Sequence, residues 1–142
     1  MSDQNSSTIL IAGAGQLGSR YLQGLAKCQN TLDIYVQDIS ELSLQIARQR
    51  WEEVYQPVSD FHGELAESAV QHNITFESSL EKIPKQIDIA VVATNANVRL
   101  QVVKQIVANN EVRYWILEKV LAQSVSALDE ISSLTQNSAG AW

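Results

Sequence analysis

The chain has 142 residues, a formal net charge of −6 and a pI near 4.8, with 45% hydrophobic and 18% charged residues. That length suits one compact domain, able to bury roughly 70% of the surface its unfolded chain would expose. The acidic balance argues against a basic nucleic-acid-binding face, and the lone Cys28 leaves no intramolecular disulfide or multi-thiol zinc site. The longest apolar run, Ile89 to Ala93, is far short of the ~20 residues of a membrane span. Residues 1–7 lack the basic and apolar regions of a secretory signal. The expectation is a cytoplasmic protein in a reducing compartment, with neither nucleic acid nor membrane as a partner.

Along the chain, residues 1–7 are polar and expected to be disordered. Thr8–Ala12 reads as a short apolar strand closed by Gly13. From Leu17 to about Lys27 the apolar residues Leu17, Tyr21, Leu22, Leu25 and Ala26 recur at helical spacing. Leu32–Asp38 alternates as a second strand, with Leu32, Ile34 and Val36 on one face. Ser40 is positioned to cap a helix through Leu44, Ala47, Trp51 and Val54 that ends before Pro57. Leu65, Ala66, Ala69 and Val70 suggest another helix, Asn73–Phe76 a short strand, and Ile83-Pro84 a turn. Ile87–Thr94 is a buried strand, followed by a helix carrying Val98, Val102, Val103, Ile106 and Val107. Tyr114–Glu118 is a further strand, and Ser124 caps a last helix that stops near Gly140.

Strands and helices alternate, and the strands are apolar on both faces. This predicts an α/β fold over residues 8–142: a doubly wound parallel sheet, the Rossmann fold, with helices on both faces.

The chemistry concentrates at the carboxyl ends of the strands. Gly13-Ala14-Gly15-Gln16-Leu17-Gly18 is a G-x-G-x-x-G run placed after an apolar strand and opening a helix, the context that makes it a dinucleotide fingerprint. The first glycine serves the tight turn, the second lets backbone approach a pyrophosphate, and the third allows close helix–strand packing. The helix start presents free N–H groups to phosphate. Gly13, Gly15, Gln16, Leu17 and Gly18 are therefore the expected cofactor-binding turn; the alternative is a glycine-rich turn without a ligand.

Asp38 ends the second strand, 20 residues after Gly18, where a carboxylate accepts hydrogen bonds from an adenosine ribose. It would repel a ribose 2′-phosphate, and Ile39 and Ser40 offer no compensating cation. Arg48 and Arg50 lie at least two turns into the next helix. NAD is thus expected rather than NADP. At the same edge, Thr94-Asn95 and Glu118-Lys119 end two later strands. Lys119 there would be a charge near the nicotinamide, orienting or polarising a substrate hydroxyl or carbonyl; the alternative is a solvated strand end.

Together these stretches, with Val91-Val92-Ala93-Thr94-Asn95 and Ile116-Leu117-Glu118-Lys119-Val120-Leu121-Ala122, resemble the Gfo/Idh/MocA oxidoreductases over about residues 8–136. In that family a strand ends in Glu-Lys-Pro, and its lysine contributes to the nicotinamide and substrate site. The resemblance implies Lys119 as the catalytic residue. It implies Thr94, Asn95 and Glu118 as cofactor-binding residues beside the fingerprint and Asp38. Val120 and Asn95 stand where the pattern has prolines, and Arg99 where it often has a histidine. Family members continue into a second α/β domain that binds substrate. The resemblance therefore implies the nucleotide-binding part of a longer enzyme, inactive alone, moving hydride to or from a sugar, nucleotide-sugar or polyol. Self-association in the family usually runs through that second domain, which leaves a homo-oligomer open. The alternative reading is a stand-alone nucleotide-sensing domain like those regulating potassium channels and transporters.

No metal site is expected. Asp60, His62 and Glu64 alternate, but in a stretch that reads as solvated loop, and His72 has no partnering Cys or H-E-x-x-H pattern. Cys28 is expected as a buried or half-buried small residue. Trp51 and Trp115 are expected in the core.

Overall fold

A computed structural model describes residues 6–55 and 70–141. Six strands, β1 (Ser7–Ala12), β2 (Leu32–Gln37), β3 (Asn73–Glu77), β4 (Gln86–Val92), β5 (Glu111–Leu117) and β6 (Gly140–Ala141), form one sheet. Their order is β3-β2-β1-β4-β5-β6, and every neighbouring pair is parallel. Helices α1 (Gln16–Leu25), α2 (Glu41–Val54), α3 (Ala96–Asn109) and α4 (Val125–Thr135) connect them. The order reverses between β1 and β4, which makes this edge the topological switch point of a doubly wound sheet.

Alternating side chains feed two cores. Ile9, Ile11, Ile34, Val36 and Val91 pack with Leu22 of α1 and Leu44, Ala47 and Trp51 of α2. Leu10, Ala12, Ala90, Val92 and Trp115 pack on the other face with Val103 and Ile106 of α3. A central strand buried on both faces must be apolar at successive positions, which is the pattern of β1 and β4. Trp51 and Trp115 lie in these cores, as expected from the sequence.

Several boundaries differ from the sequence reading, each for a local reason. Ser7 already belongs to β1, and the Ser6 hydroxyl donates to Asp33, so order begins before Thr8. α1 stops at Leu25 because the next amides, Lys27 and Cys28, bond back three residues to Gly24 and Leu25 at 3.1 and 3.0 Å. These tightened bonds close the last turn and leave Cys28 exposed rather than buried. β2 and β4 end at Gln37 and Val92, so Asp38 and Thr94 lie on the loops beyond their strands. β5 begins at Glu111, three residues before Tyr114, its start masked in sequence by the charged Glu111 and Arg113.

At the far end, α4 stops at Thr135. The Ala139 amide then bonds the Arg113 carbonyl at 2.7 Å, and Gly140 pairs beside Tyr114. Gly140 is therefore a strand residue and not a helix cap. A 3₁₀ turn at Leu80–Lys82, capped by Ser79, precedes β4 and was not foreseen. Of the helix expected through Leu65, Ala66, Ala69 and Val70, only Val70 is described, and it is not helical; the rest, along with residues 1–5 and Trp142, lies outside the described residues.

Candidate functional site

β1 delivers the chain to Gly13, whose φ of +101° is a conformation that side chains rarely adopt. Its amide donates to the Gln37 carbonyl at 2.8 Å, and a Cβ here would lie 3.1 Å from the Ala93 and Thr94 backbone. Gly18 is constrained differently. A Cβ there would sit 1.8 Å from the Gly13 carbonyl oxygen, so α1 approaches β1 only because this side chain is absent. Around Gly15 the situation is reversed: a Cβ would meet nothing within 4 Å. Three glycines at fingerprint spacing thus have three reasons: backbone conformation, an open approach and close packing.

Gly15 is the N-cap of α1 and supplies no side-chain cap, and Gly15, Gln16 and Leu17 are exposed. Intrahelical bonding begins with the Ser19 amide on the Gly15 carbonyl at 3.0 Å. The earlier amides of the first turn have no helical acceptor. The buried Ser19 hydroxyl donates to the Gly15 carbonyl at 2.7 Å, fastening the turn from beneath.

Asp38 accepts from the Ala14 amide at 2.7 Å with one oxygen and from the Ser40 amide at 2.8 Å with the other. It therefore braces the glycine turn and the start of α2 together. Each carboxylate oxygen retains a lone pair for a further donor. Beside it, Ile39 is 92% exposed, and Arg48 is engaged over the Phe76 ring at 4.8 Å. Neither brings a cation to Asp38.

Beyond β4 and β5 the structure gathers Thr94, Asn95, Glu118 and Lys119 at the same carboxyl edge. Asn95 is exposed and is the N-cap of α3, but its side chain makes no cap bond. The Thr94 Oγ1 is buried and has no hydrogen-bond partner among the described residues. Glu118 accepts a hydrogen bond from the Tyr21 hydroxyl of α1. That bond, with burial and the Glu118 charge, pushes the Tyr21 hydroxyl up to about 12. Lys119 is exposed and makes no ion pair among the described residues; the Lys119–Val120 peptide bond is cis.

Two participants escaped the sequence reading. In sequence Tyr21 reads only as part of the apolar stripe of α1. Arg99 was noted only as a departure from a pattern, yet it is 2% exposed and donates to the carbonyls of Thr94, Glu118, Val120 and Leu121. Burial lowers its pKa, opposed by the Glu118 charge. One signal was available. Arg99 falls on the same buried stripe of α3 as Val103 and Ile106, where a charge requires polar partners.

Elsewhere, an open cavity of about 650 Å³ lies at the opposite, amino edge of the sheet, lined by Ser6, Thr8, Gln86, Asp88, Glu111 and Arg113. It is separate from the glycine turn. His72 is a core residue: it packs against Trp51 and Tyr55, its Nδ1 accepts from the Leu32 amide at 3.3 Å, and burial lowers its pKa. No cluster of three potential metal ligands occurs among the described residues, and Asp60, His62 and Glu64 lie outside them.

No family model matches the chain, and no curated protein is similar to it in sequence. Solved structures are similar in fold. Scyllo-inositol dehydrogenase from Lactobacillus casei, with bound NAD(H) and scyllo-inositol, superposes with a TM-score of 0.57 at 17% identity, covering 93% of this chain and 33% of that one. The chain has a Rossmann fold. An oxidoreductase from Bacillus cereus gives a TM-score of 0.61 at 15% identity, covering 96% of this Rossmann domain and 34% of that chain. TarJ from S. aureus, in complex with NADPH, gives 0.52 at 16% identity, covering 96% and 36%. The chain thus spans about a third of the length of these structures. No helix among its described residues is long and apolar enough to cross a membrane.

Proposed function

We propose that the chain is the dinucleotide-binding part of an NAD-dependent oxidoreductase of the Gfo/Idh/MocA type, acting on a sugar, nucleotide-sugar or polyol. The observation that carries this reading is the pairing of an open Gly15 at a bare helix start with an Asp38 carboxylate bonded to the same turn. Pyrophosphate would occupy the first turn of α1, held by the amides of Gln16, Leu17 and Gly18. Asp38 would take the adenosine ribose and disfavour a 2′-phosphate, which favours NAD over NADP. Thr94, with its unpartnered hydroxyl, would lie toward the nicotinamide half with Asn95 and Glu118. Lys119, exposed at the end of β5, would be the catalytic residue that orients or polarises the substrate oxygen. The bound cofactor supplies hydride transfer. The structures it resembles extend well beyond the matched region, which supports a substrate-binding part outside this chain. A cytoplasmic location and a small-molecule substrate complete the reading, with a homo-oligomer left open.

Calorimetric titration with NADH, NADPH, ATP and ADP-ribose tests it. NADH should bind more tightly than NADPH, and Gly15→Val should abolish NADH binding by filling the backbone's approach to pyrophosphate. A preference for ATP over NADH would instead assign the chain to nucleotide sensing.

A further inference from the structure

We propose that Arg99 is a positioning residue that builds the nicotinamide-side wall of the dinucleotide crevice, by tying the loop after β4 to the loop after β5. The inference rests on the dinucleotide reading above and adds to it the device that shapes one half of the site.

Arg99 stands in the first turn of α3, four residues after the N-cap Asn95. Side chains on a helix lean toward its N-terminus, so an arginine here reaches back to the carboxyl edge of the sheet. Its Nη2 donates to the Thr94 carbonyl on the loop leaving β4. Its Nη1 donates to the carbonyls of Glu118 and Val120, and to that of Leu121 at 3.2 Å, all on the loop leaving β5. Among the described residues no backbone amide bonds to these loop carbonyls, and the buried Arg99 guanidinium would be costly without acceptors. The guanidinium serves four of them from one planar group. A lysine ammonium has three donors and no fixed fork to reproduce that arrangement.

The clamp fixes the backbone on both sides of Lys119, since the carbonyls of residues 118 and 120 are both held. The Lys119 side chain is left exposed. Glu118, anchored through its carbonyl, directs its carboxylate to Tyr21 on α1. One buried cation thereby connects the loops that follow β4 and β5, while Glu118 extends the connection to α1. The adenine-side elements, Asp38 and the glycine turn, are bonded to one another and not to Arg99.

This division gives a test in which local and global effects separate. NADH carries the nicotinamide half, and ADP-ribose lacks it. In Arg99→Met, NADH affinity should fall on the order of tenfold, the loss expected for a charge-assisted hydrogen-bond network, while ADP-ribose affinity stays within about twofold. The alkaline titration of Tyr21, followed by tyrosine NMR, should move from about 12 back toward the ordinary 10 as Glu118 is released. Arg99→Lys should recover part of the NADH affinity. If the methionine variant does not fold, the lysine variant carries the same comparison with a smaller NADH loss, about threefold. Equal losses for both ligands, or unchanged NADH affinity with unchanged Tyr21 titration, would overturn the role of Arg99 alone. Failure of the unsubstituted chain to bind either ligand would overturn the dinucleotide reading, and this proposal with it.

Discussion

Among the described residues, four helices begin at the carboxyl edge of the sheet, and they begin in two ways. α2 and α4, which follow β2 and β5, are capped by the hydroxyls of Ser40 and Ser124, which accept from the Ser43 and Ala127 amides at 3.2 and 3.1 Å. α1 and α3, which follow the adjacent central strands β1 and β4, start at Gly15 and Asn95 with no side-chain cap. A serine cap contributes about 1 kcal/mol, so the bare pair forgoes an available stabilisation at the switch point. These helices are held instead from further along: Ser19 and Tyr21 bond around α1, and Arg99 bonds around α3. The difference is that the two helices of the central strands stand without a side-chain cap and are restrained from later positions instead.

The largest expected effect breaks the comparison at α1. Gly18→Ala places a methyl group 1.8 Å from the Gly13 carbonyl oxygen, which is backbone and cannot swing aside. Helix and strand must separate, and the loss should be roughly 3 kcal/mol or more in chemical denaturation. Gly15→Val, three residues earlier, has free space and a φ of −65° that any residue adopts. It should cost about 1 kcal/mol or less while removing NADH binding. Similar stability losses at the two positions would mean that Gly15 is a packing glycine and that the bare start of α1 has no ligand role.

The sequence made one half of this contrast readable and hid the other. Apolar β1 and β4, the glycine spacing and the serine caps are local patterns, and each appears in the fold where the pattern put it. Asp38 reads in sequence as the end of β2 and lies one residue beyond it, and its bond to the Ala14 amide spans 24 positions and has no local signature. The same holds for Tyr21 and Glu118, 97 positions apart, brought together only when β5 joins the sheet. Arg99 is visible in sequence as a charge on an apolar stripe, and its need for polar partners is the signal, but the carbonyls it meets lie up to 22 positions away. Gly140 misled because glycine near a helix end suggests a cap, whereas pairing with β5 decided its conformation.

Removing the caps sharpens the comparison with a smaller effect. Ser40→Ala and Ser124→Ala should each destabilise the domain by about 1 kcal/mol, because each strands a first-turn amide. Asn95→Ala removes a side chain that makes no cap bond and should stay within about 0.5 kcal/mol. Denaturant midpoints for the three variants, at constant m-value, decide it. A loss at Asn95 equal to that at the serines would show that α3 is capped in solution after all, and the distinction between central and flanking helices would fail.

The smallest effect concerns the bond that holds α1 to the loop after β5. With its hydroxyl donating to Glu118, Tyr21 is pushed up to about 12 from the usual 10. A folded-state value above the unfolded one means that the native state holds its proton more tightly. The contribution is therefore fully present below pH 10 and is lost as pH rises from 10 through about 12. Followed residue by residue, Tyr21 should ionise well above the usual 10. Glu118→Ala removes both the acceptor and the charge, so the Tyr21 midpoint should return most of the way to 10, and the fall in stability above pH 10 should diminish. Because Tyr21 is only half-buried, solvent screens the interaction and the change in stability near neutral pH should be slight. A Tyr21 midpoint that stays near 12 in Glu118→Ala would trace the shift to burial alone, leaving Arg99 and Ser19 as the side-chain restraints on the two bare helices.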